Sequence, residues 1–330
     1  MKCLFCLLGA ALMLAFPACS RPPEAAASVA PALAAQLDSD LRELREEVER
    51  LASTIASLYA RRSEIIQGVD KSKYTFSLDG AFYKPKDDGG AALWISADQP
   101  VTPEMQEVAY LTEPLDAELI RICRELPAVS QAYYNDRFSL NRIYPWFDTL
   151  AQYPPRMNIA EFNFYYLADA AHNPARKGVW VPEPYLDPAG RGWMVSTIAP
   201  VYVDEKLEGV PGLDVTIATL VEHYFRSLEQ AVAVVSREGV LVAATESAIQ
   251  YLEMPPLRDH KYLETVKLDT FKPEDYNILK STLRPVRTMA TQLLREHLSP
   301  VTVVLKGEPH TACAVAVPEL GWTVIELYPN

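Results

Sequence analysis

Glu208-Gly209-Val210-Pro211-Gly212-Leu213-Asp214-Val215-Thr216-Ile217 is the stretch on which the reading of the fold turns. Its apolar content and length are those of a strand. Asp214 interrupts the apolar run, and a carboxylate buried in a strand needs a partner, which marks it as a pocket residue. Pro211 has no N–H to give to a ladder, which predicts an edge strand or a bulge. Just upstream, Trp193-Met194-Val195-Ser196-Thr197-Ile198-Ala199-Pro200-Val201-Tyr202 has the same character and is expected to lie beside it.

Working outward, a helix is predicted over residues 217–228. Past it, Ala231–Val235 and Val240–Ala244 flank Ser236-Arg237-Glu238-Gly239, a hairpin pattern. A helix over Tyr276–Leu298, interrupted near Pro285, and three strands at Val301–Lys306, Thr311–Val317 and Trp322–Tyr328 complete a smaller unit. Upstream, residues 70–222 alternate short apolar runs with Pro/Gly turns. Ala91–Ser96 follows the turn Asp88-Gly89-Gly90, Leu115–Leu126 is a short helix, Val129–Tyr134 is a strand, and Asn163–Tyr166 begins another element.

Ahead of these, Leu33, Leu37, Leu41, Leu44, Val48, Leu51, Ile55 and Leu58 recur every three or four residues, with charges between them, predicting one long helix to about Ile66. Its apolar seam either docks on the domain behind it or pairs in a coiled coil. The first residues read as an export signal. Met1-Lys2 is a short positive region, and the apolar run to Phe16 is too short for a membrane span. The run stops at Pro17-Ala18-Cys19-Ser20, which resembles a bacterial lipobox, so Cys19 is the expected lipidation site; plain cleavage after Ala18 is the alternative. Ser20 through Pro31 is Ala/Pro-rich and reads as a tether.

The chain has 330 residues and a formal net charge of −12, with a pI near 5.0. Its length fits about two domains, and its acidic balance argues against nucleic acid, which requires clustered Lys and Arg. Among the 5 cysteines, no paired C-x-x-C or His cluster forms a zinc pattern. Cys123 and Cys313 are expected as free thiols, a disulfide being the alternative. His260 and His310 stand alone. No metal or cofactor is expected.

Three stretches together resemble the extracytoplasmic ligand-binding domains called double Cache, or PDC-like. They are Tyr134-Asn135-Asp136 with Arg142-Ile143-Tyr144-Pro145-Trp146-Phe147-Asp148; Val181-Pro182-Glu183-Pro184-Tyr185-Leu186-Asp187-Pro188-Ala189-Gly190; and Gly209-Val210-Pro211-Gly212-Leu213-Asp214-Val215. The resemblance implies an α+β fold: a long N-terminal helix, then two PAS-like Cache modules, each an antiparallel sheet flanked by helices. The implied layout is a signal peptide over 1–18, a lipidated tether over 19–32, the helix over 33–68, a membrane-distal module with the ligand pocket over 69–224, and a membrane-proximal module over 225–330. No linker to a kinase or methyl-accepting domain follows Asn330, so the chain is expected to stand alone as a lipoprotein.

Amine- and amino-acid-binding members of that family use an arginine, nearby aromatics and two aspartates. By position Arg142 matches the arginine, Tyr185 and Asp187 the tyrosine and first aspartate, and Asp214 the second. Tyr144 and Pro145 stand where the pattern has Trp-Tyr, and Trp146-Phe147 come later, a departure from the α-amino-acid binders. A guanidinium grips a carboxylate through paired hydrogen bonds, two carboxylates neutralise an ammonium, and aromatic faces favour a cation. The candidate set is therefore Tyr134, Arg142, Tyr144, Trp146, Tyr166, Tyr185, Asp187 and Asp214. Plainer roles stay open: a surface ion pair for Arg142, a turn for Asp187, core packing for the aromatics.

The chain is expected to be an exported, membrane-anchored sensor or binding protein, facing the periplasm or cell exterior. Its expected partners are an amine, amino acid or small organic acid, the membrane through the lipid on Cys19, and a membrane receptor or kinase. An interaction lipoprotein without a ligand is the alternative. No nucleophile elbow, P-loop, H-E-x-x-H or G-x-G-x-x-G motif is present, and the expectation is that the chain is not an enzyme. A Glu183/Asp187 carboxylate pair is the thin basis for a hydrolase.

Overall fold

A computed structural model of the protein describes residues 28–255 and 273–330. The leader, Cys19 and His260 lie outside the described residues. Helix α1 (Ala30–Ala60) runs for 31 residues, about 46 Å at the α-helical rise. It starts inside the stretch read as tether, because Pro31 occupies the first turn, where a missing N–H costs nothing. A carboxylate from the far end of the chain holds that start: Glu326 accepts from the Ser28 hydroxyl at 2.6 Å and from the Ala30 N–H at 3.1 Å. All eight seam residues from Leu33 to Leu58 are buried. The backbone leaves helical angles at Arg61 and resumes as α2 (Arg62–Gly68), so the single helix expected over 33–68 is two.

Among the described residues, two antiparallel sheets follow. The first holds ten strands: β1 (Thr75–Phe76), β2 (Phe82–Tyr83), β3 (Ala92–Ile95), β4 (Gln131–Asp136), β5 (Leu140–Tyr144), β6 (Val179–Trp180), β7 (Tyr185–Leu186), β8 (Trp193–Ile198), β9 (Val201–Val203) and β10 (Lys206–Thr216). Their order is β1-β2-β3-β5-β4-β10-β8-β6, with β7 on β8 and β9 on β10. The second holds β11 (Ala231–Val235), β12 (Leu241–Ala244), β13 (Val301–Leu305), β14 (Glu308–Val317) and β15 (Trp322–Pro329), ordered β12-β11-β15-β14-β13. The helices α3 (Pro103–Leu111), α4 (Leu115–Glu125), α5 (Thr149–Gln152), α6 (Asn163–Tyr166), α7 (Ile217–Leu220), α8 (Glu246–Leu252) and α9 (Arg284–Leu294) flank them.

The seam of α1 docks within the chain, across both sheets. Arg45 donates to Glu319 at 2.5 Å beside β15, Glu49 accepts from the Gly178 N–H at 2.7 Å beside β6, and the Tyr59 and Tyr134 hydroxyls meet at 2.9 Å. Buried Glu47 joins Arg50 on α1 to Arg121 on α4. One helix thus shares a core with strands from both sheets, a continuous cluster that includes Leu41, Leu93, Leu213, Val232 and Trp322.

Three local expectations are corrected. Pro211 lies in β10, a central strand between β4 and β8. In an antiparallel strand a residue's N–H and C=O point to the same neighbour. The Pro211 carbonyl accepts from Ala199 N–H at 3.2 Å, just where β8 ends, so the N–H that proline lacks would face the β8–β9 connection rather than the ladder to β4. The helix expected over 276–298 is shorter: Pro273–Tyr276 and Ile278–Lys280 are 3-10 turns, and Pro285 opens α9 instead of breaking it. The α7 turn widens into a π-type turn over Val221–Phe225.

Arg142 also stands elsewhere than expected. Period-two alternation puts it on the α1 side of β5, where it is fully buried. It donates to Asp116 at 2.5 Å, Thr112 at 3.1 Å, the Tyr74 hydroxyl at 3.2 Å and the Ala109 carbonyl at 2.7 Å. These bonds tie β5 to α3 and α4. Breaking a buried charge pair from one side costs about 3–5 kcal/mol, so Arg142→Met is expected to lower unfolding stability by that order in urea titration. A loss below 1 kcal/mol would show that the cluster does not hold these elements together.

Candidate ligand-binding site

The opposite face of the first sheet carries the site. On β4, Gln131, Tyr133 and Asn135 alternate with Ala132, Tyr134 and Asp136, and the first set faces away from α1. On β5 the same face takes Asn141 and Ile143. The register sets Gln131 directly across from Asp214, and Asp214 directly across from Ser196. Three polar side chains from three adjacent apolar strands therefore form one row.

Loop 181–192 closes over this row through β7, whose Tyr185 pairs with Met194 of β8. The carboxylate of Asp187 accepts the N–H groups of Ala189 at 2.8 Å and Arg191 at 3.0 Å. It thereby shapes its own turn while facing the pocket, so the two roles read for it coincide. The cleft has about 340 Å³ of free space, open mouth included. Its walls are Tyr133, Asn135, Asn141, Ile143, Tyr153, Met157, Ile159, Phe164, Tyr185, Asp187, Pro188, Ala189 and Asp214. Apolar walls with a few convergent polar groups are the usual makeup of a small-molecule site.

The polar end is tightly bonded. The Ser196 hydroxyl donates to Asp214 Oδ1 at 2.5 Å, and the Tyr185 and Ser196 hydroxyls lie 2.6 Å apart. With the Ser196 hydroxyl donating to Asp214, Tyr185 is the donor of the second bond. The Gln131 amide, oriented by its partners, donates to Asp187 Oδ2 at 3.1 Å and Asp214 Oδ2 at 3.2 Å, and its carbonyl accepts from Arg191 Nε at 3.0 Å. Both carboxylates are buried. Desolvation pushes Asp187 up to about 6, and desolvation with the charge of Asp187 pushes Asp214 well above the usual carboxylate range. Burial likewise holds the Tyr133, Tyr153 and Tyr185 hydroxyls protonated.

Gly212 makes room for this arrangement. A side chain there would strike the Tyr133 ring, and one at Gly209 would strike Tyr134 on the other face. The two glycines of the decisive strand are thus the places where consecutive tyrosines of β4 lie across it, one on each side.

Of the eight residues expected at the site, Tyr185, Asp187 and Asp214 converge. Tyr134 pairs with Arg142 across β4 and β5 and shares its face, away from the cleft. Tyr144, also on that side, joins the α1 core. Trp146 packs behind the wall with Tyr133 and Ile143 without lining the cleft. Tyr166 is 37% exposed and lies against His172 at 5.2 Å; its neighbour Phe164 lines the cleft instead. Glu183 turns toward Ser236 and Glu238 of the β11–β12 turn in the second sheet, so no Glu183/Asp187 pair faces the cleft. Gln131, Tyr133, Asn135, Asn141, Tyr153, Ser196 and Arg191 were missed. Cys123 and Cys313 are free and half-buried, and among the described residues no group of side chains is arranged to hold a metal and no helix is long and apolar enough to cross a membrane.

An aspartate whose pKa is raised by folding keeps its proton in the native state after the unfolded chain has released it. Stability therefore falls as pH rises from about 4 to about 6 through Asp187, and stays lower above that. Asp214→Asn replaces a buried acid whose pKa folding raises with a neutral isostere, and its expected effect at pH 7 is a gain of about 1–3 kcal/mol in the ligand-free protein, read by urea unfolding. The gain should shrink toward pH 4. Destabilisation at pH 7 would mean that the carboxylate pair is a structural support.

No protein-family model and no curated protein matches the chain. Solved structures do. The ligand-binding domain of the Pseudomonas aeruginosa PAO1 amino acid chemoreceptor PctB, in complex with L-Arg, shares 15% identity, covers 92% of this chain and 92% of its own, and superposes with a TM-score of 0.51. The extracellular domain of mmHK1S-Z2, described as a histidine kinase, shares 13% identity over 91% of this chain and 94% of its own, also at 0.51. The likeness is one of fold: the long N-terminal helix and two helix-flanked antiparallel sheets are those of a double Cache domain.

Proposed function

We propose that this double Cache chain is an exported small-molecule-binding sensor protein whose ligand presents an ammonium group to Asp187 and Asp214. The observation that carries this reading is the carboxylate pair itself: two buried acids face one aromatic-walled cleft, bridged by a single amide. A bound cation would neutralise them and offset their desolvation. The PctB domain is named for amino acids, which fits an amine-bearing ligand.

Transmission has two material routes. The loop carrying Tyr185 and Asp187 brings Glu183 up to Ser236 and Glu238 of the second sheet, and α1 spans both sheets. A ligand shifts such a coupled structure only through its differential affinity for two arrangements. We also read residues 1–18 as a signal peptide and Cys19 as the lipidated residue. Nine residue steps lead from Cys19 to Ser28, which Glu326 holds. That span reaches about 30 Å at most, so a lipid on Cys19 keeps the second sheet near the membrane and the cleft in the first sheet farther out. A membrane receptor or kinase would receive the signal.

Two experiments test these readings. In a thermal-shift screen at pH 8, a primary amine at 100 times its dissociation constant should stabilise by about 2.7 kcal/mol, a rise of roughly 5–10 °C. The response should fade below about pH 6 as Asp187 takes up its proton, and vanish in Asp214→Asn. A screen without a hit on well-folded protein would overturn the binding reading. Separately, Cys19→Ser should move the protein from the membrane fraction to the soluble fraction; unchanged partition would refute lipidation there.

A further inference from the structure

Another buried acid lies on the α1 side of the first sheet, away from the cleft. Asp136 ends β4 and is 1% exposed. Its Oδ1 accepts the N–H groups of Phe138 at 2.7 Å and Leu140 at 2.8 Å, which shapes the turn into β5. Its Oδ2 is buried and has no hydrogen-bond partner among the described residues. A bare oxygen of this kind costs far more on a carboxylate than on a carboxylic acid. Asp136 shares its face with Tyr134, whose hydroxyl meets that of Tyr59 at 2.9 Å beside the end of α1.

The groups that face Asp136 are Tyr59 of α1, Tyr134 of β4, Tyr165 of α6, Arg137 of the turn and Glu208 of β10. No cation bonds it. Arg137 donates to Glu208 and Glu104, both at 2.9 Å. Lys206 pairs with Glu208 at 3.5 Å, and Arg62 of α2, which faces Tyr59, donates to Glu107 at 2.8 Å. Burial above all, with Glu208 adding to it, pushes the Asp136 carboxyl up to about 7 against the pull of its two N–H donors and Arg137. From this placement we propose that Asp136 is a pH-responsive switch under the end of α1: its carboxylic acid lets Tyr59 seat on β4, and its ionisation loosens that seat. The carboxylate regains hydration only where the layer over it opens, and Tyr59 is the neighbour that the long helix contributes. The backbone leaves helical angles at Arg61, two residues on, and α1 shares its core with both sheets, so the seat of this end bears on how the helix joins them. The switch is independent of the cleft, whose acids face the other way.

An open seat returns Asp136 to the usual carboxylate range near about 4. Opening therefore grows with pH, by up to about tenfold per unit, until about 7 and levels off above it. Hydrogen exchange of the full chain without ligand, resolved over residues 55–62 and divided by the intrinsic exchange rate at each pH, reads this opening. It should rise at least tenfold from pH 5 to pH 7 and be level by pH 8. Asp136→Asn keeps an oxygen for the Phe138 and Leu140 N–H groups but cannot ionise, so its opening should be flat over the same range. The carbon-13 resonance of the Asp136 carboxyl gives a second reading that needs no variant, and its expected midpoint is near 7. Opening that ignores pH in the unaltered chain, a rise that persists in Asp136→Asn, or a carboxyl midpoint in the usual range would each overturn the switch.

Discussion

Every strand of the first sheet has to satisfy two faces at once. Side chains alternate across a strand, so each residue given to the α1 core fixes its neighbours for the cleft. Leu213 and Val215 of β10 join the core shared with α1, and Asp214 between them is thereby aimed at the ligand side. Tyr134 meets Tyr59 of the long helix, and Tyr133 and Asn135 are left to wall the cleft. The pocket is in this sense the complement of the helix contact: a slip of one residue would exchange the two sets.

The polar row is the costly part of that arrangement. Gln131, Asp214 and Ser196 sit opposite one another in apolar strands, and Asp187 is folded over them by its own turn. Every oxygen of the two carboxylates has a donor, which makes their burial tolerable, yet neither has a cation in contact. A core built for stability alone would place a lysine or arginine there, as it does around Asp116 and Arg142. Groups left in want of one ligand charge are typical of binding sites that trade stability for function.

The sequence made the long helix legible because its seam repeats over many turns; only its ends moved, at Pro31 and Arg61. Asp187 and Asp214 were legible as acids out of place, one in a turn and one in an apolar strand. Arg142 and Tyr134 misled because charge and aromaticity do not tell which face of a strand a residue takes; their parity with Leu140 and Ala132 was the available clue. Gln131 and Ser196 carried no signal alone. Their role comes from register, which joins β4, β10 and β8 across about 80 residues of chain and cannot be read from any one stretch. Pro211 misled for the same reason, since the gap it faces belongs to a neighbouring strand.

The central claim is that a cation replaces a proton between Asp187 and Asp214. Calorimetric titration of tyramine near pH 6, repeated in buffers of different ionisation enthalpy, measures the protons exchanged on binding. The account predicts net release, up to about one proton per ligand, diminishing as pH rises. Binding at pH 6 with no proton released, or with protons taken up, would contradict it.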